Sequence, residues 1–332
     1  MLAYFGRRLI YVVVTLWAIS IVAFVIINLP PGDYVSTLVA NAQAGGEGTP
    51  PAEIANLRQR YGLDDPLLVQ YWRWFSAILF HGDFGQSFAW NQAVSTLIGE
   101  RIALSAVLSL SSLLMVWAIA FPIGIYSAVK QYSWGDYGFS FLGFIGMAVP
   151  EFMLALVLMY IGFRYFGQSV GGLFSPEFQD AAWNLGKVLD LLSHLWVPIV
   201  VIGVSGTAGM IRVTRANLLD ELYRPYVVTA RAKGLPEWKL LLKYPVRMSL
   251  SPFFSTVGWL LPGLIGGETI VSVVMSLPTG GPLLLSGVLN QDMYLVGSFV
   301  LILSTLTVIG TVISDLALAW WDPRIRKRYK RE

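Results

Sequence analysis

Six long apolar runs divide the chain: Leu9–Leu29, Ile102–Val129, Phe139–Phe166, Leu195–Ile211, Phe253–Met275 and Tyr294–Trp320. Each is continuous rather than alternating, so each reads as helix and not as a strand of a barrel. A bilayer core of about 30 Å needs about 20 apolar residues in helical form. The pattern therefore predicts an all-α polytopic membrane protein with six transmembrane helices. The first run is longer than the apolar core of a secretory signal, and no small-x-small cleavage site follows it. The segment Asn28-Leu29-Pro30-Pro31-Gly32-Asp33 instead reads as the exit from an uncleaved span.

Charge gives the runs an orientation. Two basic residues precede the first run, one lies between the second and third, eight lie between the fourth and fifth, and six follow the sixth. Thus 17 of the 23 Lys and Arg residues fall on one side. The positive-inside rule makes that side cytoplasmic and places both termini there. The chain divides into a cytoplasmic N-terminus (1–8), the first span (9–29), an external segment (30–101), a core of five spans (102–320) and a basic tail (321–332). Composition fits this picture. Only 13% of the residues are charged, against about a quarter in a soluble domain. With no cysteine and two histidines, His81 and His194, thiol catalysis, zinc-thiolate sites and a Ser-His-Asp hydrolase are excluded or disfavoured. No Gly-x-x-x-x-Gly-Lys-Ser/Thr phosphate loop occurs, so any ATP hydrolysis belongs to another subunit. Nothing points to a nucleic-acid partner.

Two segments outside the runs carry structure. In the external segment, a Gly-, Ala- and Pro-rich patch at 41–51 precedes two short helices expected at 51–61 and 66–80. The second carries Tyr71, Trp72, Trp74 and Phe75, suited to the headgroup level. The stretch 212–250 is too long and too patterned for a bare loop. Pro225 to Lys233 is helical in composition. Gly234 suits the left-handed position beyond a helix end, and Pro236 with Glu237 suits the start of a second helix. Such a hairpin fits either an anionic lipid surface or the groove of a partner protein.

The stretch Tyr226-Val-Val-Thr-Ala-Arg-Ala-Lys-Gly234-Leu235 resembles the cytoplasmic EAA loop of binding-protein-dependent ABC transporter permeases, especially the dipeptide/oligopeptide permease family. The likeness extends along the chain: Arg7-Arg8-Leu9, Pro31-Gly32-Asp33, Tyr61-Gly-Leu-Asp-Asp-Pro66, Gln70-Tyr71, Gly82-Asp-Phe-Gly-Gln-Ser87 and Asp322-Pro-Arg-Ile-Arg326 resemble family segments in order. Two departures stand out. Val228 occupies the position of the loop's eponymous Glu, with Thr229 at the next. After Gly266-Gly267, Ser272 stands where the family has Glu and Met275 where it has an aromatic residue. A Glu occurs one turn earlier, at Glu268.

The resemblance implies an ABC importer type I permease fold and transport by alternating access. It also implies a second homologous permease subunit, two cytoplasmic ATPases that bind ATP and Mg, and an external substrate-binding protein. It assigns no cofactor and no catalysis to this chain. It implies ATPase coupling through Thr229, Ala230, Arg231, Ala232, Lys233, Gly234, Leu235 and Glu237. The cargo expected first is an oligopeptide or dipeptide, and an oligosaccharide next. Carboxylates inside spans are costly and mark functional candidates. Glu151, beside Pro150 in the middle of the third run, fits the translocation pathway or a structural bond. Glu268 and Ser272, four apart, share one helix face and are expected to line that pathway. Asp315 fits structural pairing. The alternative from another class is a self-contained secondary transporter using Glu151 and Glu268 as proton or ion sites, although no internal repeat supports it.

Overall fold

The computed structural model describes residues 2–29, 32, 34–44, 50–167, 171–179, 181–251, 253–254 and 269–321. Every regular element among them is helical: α1 (Leu2–Asn28), α2 (Tyr34–Ala44), α3 (Pro51–Tyr61), α4 (Leu67–Ser76) continued by a π-helical turn (Ala77–His81), α5 (Val94–Val129), α6 (Trp134–Ala148), α7 (Glu151–Phe166), α8 (Leu185–Leu222), α9 (Pro225–Ala232), α10 (Glu237–Lys243), α11 (Pro245–Ser249), α12 (Thr269–Val274), α13 (Gly280–Leu289) and α14 (Met293–Trp321). Among the described residues, α1, α5, α8 and α14 are each long and apolar enough to cross a membrane. The fifth apolar run lies mostly outside the described residues, and Glu268 lies wholly outside them.

The third run is not the continuous span that the sequence suggests. It is two helices, α6 and α7, bent by 99° at a short break. Pro150 is the cause. It has no N–H to continue the ladder and holds φ −58°, ψ 134° as the N-cap of α7, which is extended rather than helical backbone. Glu151 is thus the first residue of α7, not a mid-span carboxylate. The fourth run also differs: α8 spans 38 residues, or about 57 Å at about 1.5 Å per residue. Arg212 and Arg215 end the uncharged run in the sequence, but the helix continues through them. The first eleven residues of the expected cytoplasmic loop are therefore the end of α8.

The chain forms two compact units. The first comprises Met1–Leu104 and Thr279–Val308. Its core joins Phe24 of α1, Trp74, Phe88, Met293 and Leu301. The aromatic face of α4 does not lie free at a headgroup level. Trp74 is 2% exposed, its ring stacks on Phe24 at 6.2 Å, and its Nε1 donates to Ser298 Oγ at 3.3 Å. The Tyr71 hydroxyl shares a 2.9 Å hydrogen bond with Ser20 Oγ. Trp72, on the opposite face, is the exposed one. α4 is strongly amphipathic, and a buried stripe that ends in an N–H donor needs an acceptor, which Ser298 supplies.

The second unit comprises Ser105–Pro278 and Ile309–Glu332. Here α8 packs against α6, α7 and α11. Small residues permit the close approach, as is usual between helices in lipid. A Cβ at Gly124 would lie 2.6 Å from Thr214 Cβ, and one at Gly146 2.7 Å from Val204 Cγ1. A buried ion pair fixes the α6–α8 contact. Arg215 donates from Nε to Asp136 Oδ1 at 3.1 Å and from a terminal nitrogen to Oδ2 at 3.0 Å. Asp136 also accepts from the Tyr132 backbone N–H at 3.0 Å.

Candidate functional site

The segment after α8 folds into a compact helical hairpin. Pro225 opens α9 at a position that needs no N–H. The helix ends in a Schellman turn: Gly234 N–H reaches Arg231 O at 3.0 Å and Leu235 N–H reaches Ala230 O at 3.4 Å. Gly234 has φ +78°, a left-handed conformation that disfavours a Cβ. Pro236 is the N-cap of α10, at φ −61° and ψ 137°. The turn brings two charges together. Arg231 donates to both oxygens of Glu237, at 3.1 Å from Nε and 2.6 Å from a terminal nitrogen. This bidentate bond holds the Glu237 carboxyl below its ordinary range.

Inside the hairpin, Val227, Ala230 and Leu240 form a small buried core, flanked by Tyr226, Leu235 and Tyr244. Of the eight residues proposed for coupling, Ala230 is therefore interior and Leu235 half-buried. Thr229, Arg231, Ala232, Lys233, Gly234 and Glu237 are exposed. Thr229 Oγ1 donates to Pro225 O at 2.8 Å. The outer surface also has an apolar part: Val228, Trp238 and Leu242 are all more than half exposed. Trp238 and Leu242 are four apart and share one face of α10, opposed to buried Leu240. That spacing was visible in the sequence, but which face turns inward depends on the Gly234 turn.

The hairpin is tied to the membrane helices of its unit. Val246 of α11 packs with Ala128 and Leu218. Trp321 Nε1 donates to Arg247 O at 2.8 Å, and the Arg247 guanidinium lies 5.4 Å from the Trp321 ring centroid. Packed side chains thus connect the hairpin, through α11, to α5, α8 and the end of α14.

Of the residues expected in the pathway, Glu268 lies outside the described residues, while Glu151 and Ser272 lie on helices that pack against each other, α7 and α12. Glu151 is half-buried at the α6–α7 break and has no hydrogen-bond or ion-pair partner among the described residues. Ser272 is 1% exposed on α12, and its carbonyl accepts from Leu277 N–H at 2.8 Å. Among the described residues, no group of three or more His, Asp or Glu side chains is placed to hold a metal ion.

Apolar spans, a helix pair broken at a proline and a hairpin docked on their ends define a multi-pass membrane protein. Residues 120–327 match the family described as binding-protein-dependent transport system inner membrane component, and residues 1–111 match its N-terminal companion. The chain belongs to this family and is a permease subunit of a binding-protein-dependent ABC importer. It is 34% identical over 327 residues to the oligopeptide transport system permease protein AppB of Bacillus subtilis, covering 98% of this chain and 99% of that one. It is 33% identical over 332 residues to a putative peptide permease protein of Brucella ovis, covering 98% and 99%. It is 30% identical over 328 residues to the oligopeptide transport system permease protein OppB of Escherichia coli K12, covering 98% and 100%.

Proposed function

We propose that this chain forms half of the membrane channel of a peptide importer, with both termini and the hairpin of α9 and α10 in the cytoplasm. A second homologous permease completes the channel, two ATPase subunits bind ATP and Mg, and an external binding protein delivers the cargo. The observation that carries this reading is the hairpin itself. Its core is satisfied internally, its turn is locked by Gly234 and by the Arg231–Glu237 bond, and it still exposes Val228, Trp238 and Leu242. A preformed unit with an unsatisfied apolar face fits a groove on a partner. The names of the relatives support peptide as the cargo.

In the transport cycle, closure of the ATPases moves α10, and the packed contacts of Val246, Leu218 and Arg247 pass that movement to the spans. The conformational change is a rigid-body rotation between two packed arrangements. The 99° break at Pro150 leaves Glu151 free to face a cationic or hydroxyl-bearing part of the cargo. Glu268 and Ser272 are assigned to the same route, with Ser272 exposed to it in another state of the cycle.

Purification tests the proposal. The wild-type chain should bring ATPase subunits with it, and Trp238→Asp or Leu242→Asp should lose them while inserting normally. A chain that catalyses peptide uptake alone in liposomes would instead favour a secondary transporter.

A further inference from the structure

The first unit holds a second organised surface, far in sequence from the hairpin. The loop after α4 is a rigid turn. Ser87 N–H donates to Gln92 O at 2.9 Å, Val94 N–H to Gly85 O at 3.0 Å and Asn91 N–H to Ser87 O at 3.0 Å. Gln86 Nε2 reaches Asn91 O at 3.2 Å. Trp90 sits at the tip and is 45% exposed.

A three-residue turn before α14, Asn290-Gln291-Asp292, pins this loop and two other segments. Asp292 is completely buried. It accepts from Ser87 Oγ at 2.5 Å and from Ala89 N–H at 3.1 Å, and it caps α14 through Leu295 N–H at 3.1 Å. Ser87 Oγ in turn accepts from Trp90 N–H at 3.2 Å. Gln291 Oε1 accepts from Thr37 Oγ1 of α2 at 2.8 Å. Asn290 Nδ2 donates to Ser286 O of α13 at 2.8 Å. The three segments so pinned wall a cavity of about 330 Å³, lined by Tyr34, Thr37 and Leu38, by Ala89 and Trp90, and by Ser286 and Asn290.

We propose that this cavity seats a neutral loop of the external binding protein, and that Asp292 is the positioning residue that holds its Trp90 wall. The inference rests on the importer reading above, which puts the whole surface outside the membrane. Three features support it. A half-exposed Trp on a hydrogen-bonded turn supplies a large contact at little ordering cost, as interface hot spots do. The cavity offers two rings and several neutral hydrogen-bonding groups, which suit a polypeptide backbone and one or two side chains. Among the described residues, no acidic or basic side chain lines it. A free peptide carries an ammonium and a carboxylate that need charged or strongly polar partners when desolvated, so the lining favours a loop of folded protein over the cargo itself.

The test uses the whole importer, this chain with its partner subunits, in lipid nanodiscs. ATPase rate is read while the importer's purified, cargo-loaded binding protein is titrated. Trp90→Ala should raise the half-saturating concentration of binding protein about tenfold, while the rate at saturation falls by less than twofold. Trp90→Phe should recover most of the affinity. Asp292→Asn and Ser87→Ala should shift half-saturation in the same direction, and the double variant should shift it by less than the sum of the two, because the two side chains share one bond. An unchanged half-saturation in Trp90→Ala overturns the proposal. So does a lower rate at saturation with unchanged half-saturation, or a change confined to cargo preference, which would mark a cargo subsite. Absence of any stimulation in the wild-type complex overturns the importer reading as well, so the two failures are told apart before a variant is compared.

Discussion

Replacing Gly234 separates backbone geometry from bulk at the coupling hairpin. Its φ of +78° costs an L-residue about 1–2 kcal/mol. No heavy atom lies within 4 Å of the position a Cβ would take, so Gly234→Ala meets this conformational cost and no clash. Gly234→Pro fixes φ near −65° and removes the N–H. It deletes the 3.0 Å bond to Arg231 O, and with the turn refolded the Leu235–Ala230 bond is lost too. Each is worth about 0.5–1.5 kcal/mol, so with the conformational term of about 1–2 kcal/mol the local loss is about 2–5 kcal/mol. These energies lower the fraction of docking-competent hairpin. At about 1.4 kcal/mol per tenfold, Ala should weaken ATPase association by up to about thirtyfold and Pro by about a hundredfold or more. The assay is binding of purified ATPase subunits to the chain in nanodiscs, with membrane insertion measured in parallel. Near wild-type binding by Gly234→Pro would refute the reasoning, and so would an Ala variant as defective as Pro.

Asp136→Asn should destabilise the second unit by about 2–4 kcal/mol, somewhat less than for a fully buried pair because the Arg215 side chain is 27% exposed. Arg215→Met in the same chain should restore part of the loss, as read from thermal unfolding in detergent. Trp74→Ala should cost about 3–5 kcal/mol through the void it leaves, whereas Trp74→Phe should cost about 1 kcal/mol for the lost bond to Ser298. Equal losses would mean that Trp74 is not packed as described. The Arg231–Glu237 bond gives a pH dependence of known sign. A carboxyl whose folded value is depressed contributes stability above the ordinary Glu range and loses it as pH falls through the lowered value. Amide exchange at Gly234 should stay protected into mildly acidic pH, and Arg231→Gln should move the onset of exchange upward. An onset unmoved by that substitution would count against the bond.

The hairpin was largely legible from residue types, because Gly234 and Pro236 carry strong local preferences that the packing agrees with. The helices expected at 51–61 and 66–80 were legible for the same reason: Pro51 and Pro66 mark their starts, and the second is α4 with the π-helical turn that continues it. Other features depend on tertiary partners that no local pattern encodes. Pro150 announced a kink, but how far a chain turns at a proline is set by what the two halves pack against, and the bend is 99°. Trp74 looked like an interfacial residue because an aromatic stripe reads alike whether it meets headgroups or α1. The end of α8 was placed too early because Arg215 counts as a solvated charge until Asp136, 79 residues away, is seen beside it. Asp292 gave no signal at all: a lone acid before an apolar run looks like an ordinary helix cap. Its bond to Ser87 spans 205 residues.

Uptake into proteoliposomes tests the importer reading most directly. The chain is reconstituted with its second permease and ATPase subunits, and a labelled oligopeptide is supplied outside with the binding protein. Accumulation should require ATP inside the liposomes' ATPase-facing compartment together with binding protein on the opposite face, and omitting any one component should abolish it. Uptake by this chain alone, driven by an ion gradient and indifferent to ATP, would contradict it.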